Sequence, residues 1–195
     1  MFIVDSQIHV WAASTPDRPW PAPGADGRSA TPQREIPFGI DEALGLMDKA
    51  GIPITLMPHA WCWLVEQVAE RHPGLKLCID HMGCASSRRD AEAFTHMDAL
   101  LRRARFPNIA VKSSALPCCS SAPYPWAWLH PQVKKTYDAF GPQRMFWGTD
   151  ISRSPCGYRE NVELFTRELS WLTATDLEWI MGRGVCEWYG WAMPR

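Results

Sequence analysis

The sequence predicts an α/β fold built on a parallel sheet. Strand and helix patterns alternate five times along the chain. The strands are apolar on both faces, as in Leu77-Cys78-Ile79, which marks a sheet covered on both sides. The 195 residues suit one domain, and a chain of that size buries roughly 70% of its unfolded surface without a disulfide or metal staple.

Phe2–Val10 reads as the first strand. Residues 11–39 show no periodicity and carry six prolines (Pro16, Pro19, Pro21, Pro23, Pro32, Pro37), a connection long enough to imply function, such as a stiff lid bearing Trp20. Asp41 N-caps a helix with Leu44, Met47 and Ala50 on one face, and Gly51 stops it. Ile54–Met57 is the next strand, closed by Pro58. A helix over Trp61–Arg71 follows, with Leu64, Val65, Val68 and Ala69 on one stripe before Pro73-Gly74.

Leu75–His81 reads as a strand and Asp90–Arg105 as a helix with Ala93, Phe94, Met97, Leu100, Leu101 and Ala104 at helical spacing. Its solvated side would carry Arg88, Arg89, Arg102, Arg103 and Arg105. Next come a strand at Ile109–Ser113, a helix near Pro131–Phe140 ended by Gly141-Pro142, and a strand at Arg144–Gly148. Two helices follow, Arg159–Leu169 and Thr175–Met181, the second with Thr175 and Glu178 as a capping box. Gly182-Arg183-Gly184 reads as a C-cap. No repeat or linker divides residues 1–195.

A net charge of −1 argues against nucleic acid or an anionic membrane as partner. No apolar run approaches the roughly 20 residues of a membrane span. Strand-like sequence begins at once, leaving no room for a signal peptide, so a cytoplasmic protein is expected. Seven cysteines without a CxxC read as reduced thiols, with Cys118 and Cys119 pointing apart in a strand as packing residues. The 11 tryptophans suit a core and the lining of a pocket.

In parallel α/β folds ligands bind at the carboxyl ends of the strands. The first strand brings Asp5, Gln7 and His9 there on one face, since alternate residues share a side. The second ends near His59, the third in Asp80-His81, the fourth in Lys112-Ser113-Ser114 and the fifth in Gly148-Thr149-Asp150. Five ionisable strand ends on one rim are costly unless paired or working. GxGxxG, GxxxxGK[ST] and GxSxG motifs are absent from the sequence, and a Cys84 thiolate beside His81 lacks a base geometry. What remains suits activation of water. Asp150 would take the proton, while His81 and His9, with Lys112, polarise a carbonyl. A divalent metal held by His9, His81 and Asp150 is the competing arrangement.

An ordered set of motifs carries a resemblance: Asp5-Ser6-Gln7-Ile8-His9-Val10-Trp11 with Pro16-Asp17-Arg18-Pro19-Trp20-Pro21, then Glu70-Arg71-His72-Pro73-Gly74-Leu75 with Ile79-Asp80-His81-Met82-Gly83. Pro107 to Ser114, Trp147-Gly148-Thr149-Asp150 and Trp179-Ile180-Met181-Gly182 complete it. The set resembles the amidohydrolase-2 branch of the amidohydrolase superfamily, which includes 2-pyrone-4,6-dicarboxylate lactonases and L-fuconolactonases. The resemblance implies a (β/α)8 TIM barrel and hydrolysis of a lactone or similar carboxylate-bearing cyclic ester. Asp150 matches the water-activating aspartate, and His9 and His81 match the substrate-polarising histidines. Gln7, Lys112, Arg18 and Tyr124 are the expected contacts to a small-molecule substrate. Gln7 stands where the family often has the first histidine of a zinc-binding pair, so no cofactor is expected. The alternative is a zinc-dependent amidohydrolase or decarboxylase.

The matched strands look like the barrel's first, fifth, sixth, seventh and eighth. Three are missing, so the expectation is an incomplete barrel of about five parallel strands. Its two raw edges would favour a homodimer. A non-catalytic, shortened paralogue is the reading from another class.

Overall fold

The computed structural model describes residues 15–16, 54–56, 62–85, 88–150 and 154–191. The first strand, the helix begun by Asp41, nearly all of the 11–39 connection, and Gln7, His9, Arg18 and His59 lie outside them.

Within the described residues four strands form one parallel sheet in sequence order: β1 (Ile54–Leu56), β2 (Leu77–Ile79), β3 (Ile109–Ser114) and β4 (Met145–Gly148). Neighbouring strands are joined through α1 (Cys62–Arg71), α2 (Met97–Arg102) and α3 (His130–Phe140). Beyond β4 come α4 (Tyr158–Glu163), α5 (Ala174–Glu178) and α6 (Gly184–Tyr189).

Strand alternation sorts the sheet into two faces. Leu77, Ile79, Ile109, Val111 and Met145 join the larger core with Val65 and Val68 of α1, Leu100 of α2 and Val133 of α3. Burying each such side chain contributes about 1.5–3 kcal/mol. The opposite face carries Cys78, Ala110 and Phe146, which pack with Tyr189 of α6, while Val185 and Trp188 lie against them. The crossover helices thus cover one face and a late helix meets the other. One-sided crossovers are what a barrel wall has, whereas a doubly wound sheet spreads its crossovers over both faces.

The amino ends of the strands are fastened by side chains. Asn108, just before β3, donates from Nδ2 to the carbonyls of Ala69, His72 and Leu75 at 3.0–3.2 Å, closing the end of α1. Arg144, just before β4, donates to the carbonyls of Ala104, Phe106 and Ile109 at 2.8–3.0 Å.

Several elements differ from expectation. The Leu75–His81 strand shortens to Leu77–Ile79 because the backbone turns at Asp80–Gly83. Asp90–Arg105 is not one helix: α2 is flanked by 3-10 turns at Asp90–Phe94 and Arg103–Arg105. Asp90 sits at φ 51, where its carboxylate accepts from the Ser121 N–H and hydroxyl. Arg103 is not on a solvated face but buried, with Nη2 3.7 Å from Glu66 Oε1.

Arg159–Leu169 is α4 followed by a wider π turn at Leu164–Glu168. The capping box forms two residues earlier than expected, between Thr173 and Asp176. The Asp176 N–H donates to Thr173 Oγ1 at 3.2 Å, and the Thr173 N–H donates to Asp176 Oδ2 at 2.9 Å. That frame puts Leu172 and Leu177 at the two ends of a hydrophobic staple, and both meet the core. The 182–184 glycines do not cap a helix. A π turn at Trp179–Arg183 runs directly into α6, and a Cβ on Gly184 would stand 2.7 Å from the Trp179 carbonyl oxygen and 3.0 Å from Phe146 Cε1. Cys118 and Cys119 belong to a 3-10 turn, Leu116–Cys119, not a strand. Among the described residues no helix is long and apolar enough to cross a membrane.

Candidate active site

Three of the strand ends expected to carry chemistry are described, and they converge. After β2 the chain enters left-handed backbone: His81 has φ 52 and ψ 33, Met82 φ 53 and ψ 25, and Gly83 φ 74. For the two non-glycine residues this costs roughly 1–2 kcal/mol each, so the surroundings must hold them. One restraint is the Met82 carbonyl, which accepts from His96 Nε2–H at 2.7 Å. Met82 itself is fully buried. The result is that His81 projects at the carboxyl end of the sheet instead of continuing a strand.

On β3, Lys112 and Ser114 share a face, with Ser113 on the other. Gly148 is the register partner of Ser114, and a Cβ there would come within 3.1 Å of Ser114 Cβ. The glycine lets β3 and β4 close up at the rim. Two residues on, Asp150 also stands at positive φ, 47.

The distances link these groups. His81 Nδ1 lies 2.8 Å from Ser114 Oγ, and His81 Nε2 lies 3.6 Å from Asp150 Oδ2. The two side chains are 15% and 24% exposed, open enough to meet a small molecule. One residue back, Lys112 Nζ is 2.9 Å from Asp80 Oδ1. Burial pushes the Asp80 carboxyl above the ordinary carboxylate range, against the pull of the Lys112 charge on it. The ring of His81 therefore stands between a serine and a carboxylate, beside an ion pair that offsets most of its own charge.

Asp150 and His81 thus come together. Lys112, expected as a substrate contact, is engaged by Asp80. Tyr124 directs its hydroxyl at Glu168, donating to Oε1 at 2.6 Å. His9, Gln7 and Arg18 lie outside the described residues. The free Cys84 thiol shares a hydrogen bond with the Cys119 thiol and is buried, and both effects push it up, which leaves no thiolate beside His81. Sequence reasoning gave no role to Ser114 or Asp80. The signal was present in the period of two that puts Lys112 and Ser114 on one side of a strand ending at the rim.

Among the described residues no group of three metal-ligating side chains occurs. His81 and Asp150 supply two donors, whereas a catalytic zinc takes three from the protein. The described donor set does not by itself fit that ion.

Residues 13–184 match the family model described as Amidohydrolase. Among solved structures, the chain is similar to an amidohydrolase from Burkholderia multivorans with bound zinc: TM-score 0.65 and 22% identity, over 80% of this chain and 58% of that one. It is also similar to a candidate 2-pyrone-4,6-dicarboxylic acid hydrolase from Pseudomonas putida, at TM-score 0.59 and 16% identity, over 79% of this chain and 57% of that one. A third, a candidate for the same activity from Acinetobacter baumannii with citric acid bound, matches at TM-score 0.59 and 13% identity, over 78% of this chain and 58% of that one. No curated protein matches the chain. At these identities the likeness speaks for the fold, an incomplete TIM barrel, and the chain spans under three-fifths of each of these relatives.

Proposed function

Because the chain belongs to the amidohydrolase family, we propose that it is a hydrolase that directs water onto a lactone or similar carboxylate-bearing cyclic ester, with Asp150 as general base. The observation that carries this is the Asp150 Oδ2 to His81 Nε2 separation of 3.6 Å at the open end of the sheet. A base and a hydrogen-bond donor that close can act on the two ends of one attack: water oxygen and substrate carbonyl.

Water adds to the acyl carbon as Asp150 takes its proton, and the carbonyl electron pair moves onto oxygen. The imidazole N–H of His81, joined by His9, stabilises that oxyanion. Collapse restores the carbonyl and breaks the ring C–O bond. The departing alkoxide recovers the proton from Asp150, leaving a hydroxy acid. The pyrone-dicarboxylate assignment of two structural relatives supports the substrate class. No step passes through a metal.

A panel of pyrone and sugar lactones, assayed on the full chain with and without a chelator, tests the reading. Hydrolysis insensitive to chelation, and lost by at least about a hundredfold in Asp150→Asn, is expected for loss of a general base. Activity removed by a chelator and restored by zinc, or intact in Asp150→Asn, overturns it. A non-catalytic role is the second reading, favoured by the chain's coverage of only 58% of the Burkholderia protein. Absence of turnover across the panel in a folded sample would select it.

A further inference from the structure

We propose that Ser114 is a positioning residue that holds the His81 imidazole in the tautomer with its proton on Nε2. The inference rests on the hydrolytic reading of the same site. It comes from what each ring nitrogen faces. Nε2 looks toward Asp150 Oδ2 at 3.6 Å, and an ionised carboxylate only accepts hydrogen bonds. A nitrogen lone pair there would be repelled, while an N–H is attracted. In the neutral ring Nδ1 must then carry the lone pair. At 2.8 Å from it sits Ser114 Oγ, whose hydroxyl, able to donate or accept, donates to that lone pair in this tautomer.

The placement suits the task. Ser114 is 4% exposed and belongs to β3, so the donor is fixed by a strand and not by a loop. His81 lies in left-handed backbone just past a strand, with its Nδ1 2.8 Å from that fixed hydroxyl. The same strand face steers two consecutive residues of that turn: Lys112 holds Asp80, and Ser114 holds His81. With Nδ1 occupied, Nε2–H points to the side where Asp150 would hold the attacking water, and so to the substrate carbonyl. In the opposite tautomer Nε2 could accept from Asp150 only after that carboxyl took a proton, and Nε2 could not donate to a carbonyl.

Ring nitrogens of 15N-histidine-labelled full chain, read by two-bond 1H–15N correlation at a pH where the ring is neutral, report the tautomer directly. His81 is assigned by difference against His81→Asn. The intact chain should show the Nε2–H pattern. Ser114→Ala should move His81 toward a mixture with Nδ1–H, and Ser114→Thr, which keeps the hydroxyl, should restore it. On a lactone substrate Ser114→Ala should lower kcat by about tenfold or more with KM nearly unchanged, the scale of losing a partner that orients a working histidine. An Nδ1–H pattern in the intact chain overturns the proposal whether or not any variant folds. An unchanged Nε2–H pattern in Ser114→Ala overturns it too. If no lactone is opened but Ser114→Ala shifts the tautomer, the positioning role stands and the hydrolytic reading fails.

Discussion

Lys112 Nζ stands 2.9 Å from Asp80 Oδ1, and the carboxylate is almost wholly enclosed while the ammonium is about one-fifth exposed. Such a pair is held by mutual need. Removing one partner leaves an uncompensated buried charge, which typically costs 3–5 kcal/mol. Lys112→Met should therefore lower unfolding stability at neutral pH by about 3 kcal/mol, and Asp80→Asn placed on top of it should recover most of the loss. Urea titration of the three variants measures both.

The same pair sets a pH dependence. Because burial raises the Asp80 carboxyl above its unfolded value, the folded state binds more protons than the unfolded state between those two values. Asp80's favourable contribution is complete below the ordinary carboxylate range and is lost as pH climbs through its raised value. Asp80→Asn should flatten that part of the stability–pH curve. A curve unchanged by the substitution would show that Asp80 does not titrate in this way.

Gly83→Ala should destabilise the chain by about 1–3 kcal/mol. The position has φ +74, and a Cβ there would stand 3.0 Å from His96 Nε2, the nitrogen that donates to the Met82 carbonyl. Gly74→Ala, with nothing within 4 Å of its added carbon, is the control and should be nearly silent. Denaturant midpoints at constant m-value separate the two.

Thiol labelling offers a fourth check. Burial pushes the Cys78 thiol up to about 12, so near pH 8 only about one molecule in 10⁴ carries its thiolate. Cys84 is held up by its hydrogen bond with the Cys119 thiol and by burial. Iodoacetamide on the native chain, followed by peptide mass spectrometry, should modify the partly exposed Cys156 and Cys186 at least about a hundredfold faster than Cys78 or Cys84. Equal rates would mean the two buried sites open easily.

What the sequence disclosed depended on the range over which each signal acts. The strands at Ile109–Ser114 and Met145–Gly148 were legible because each opens on a short apolar run, Ile109–Val111 and Met145–Trp147, between turn signals. The convergence of His81 and Asp150 was legible for a similar reason, since parallel strands deliver their carboxyl ends to one rim. The broken Asp90–Arg105 segment was not. Its helical spacing is real, but Asp90 is claimed by Ser121 and His96 by Met82, and neither tie has a local signature. The capping box slipped because Thr173-Ala174-Thr175-Asp176-Leu177-Glu178 satisfies the pattern in two frames, and only the fit of Leu172 and Leu177 to the core chooses between them. The face Ser114 occupies was legible, but its contact with His81 was not, because that depends on the positive φ of a residue 33 positions away.

The packing of Tyr189 against Cys78 and Phe146 has a bearing on how this chain is made. The described strands are complete by Gly148, yet Tyr189, which packs on their second face, is translated about forty residues later. Lys76, just before β2, likewise finds the carbonyls of Glu187 and Trp188, 111 and 112 positions downstream. A nascent chain holding the four described strands would still lack Tyr189, Val185 and Trp188 on that side. Closing that side is a late, long-range event, the kind that slows folding and leaves an interval in which a chaperone or a second nascent copy can bind first.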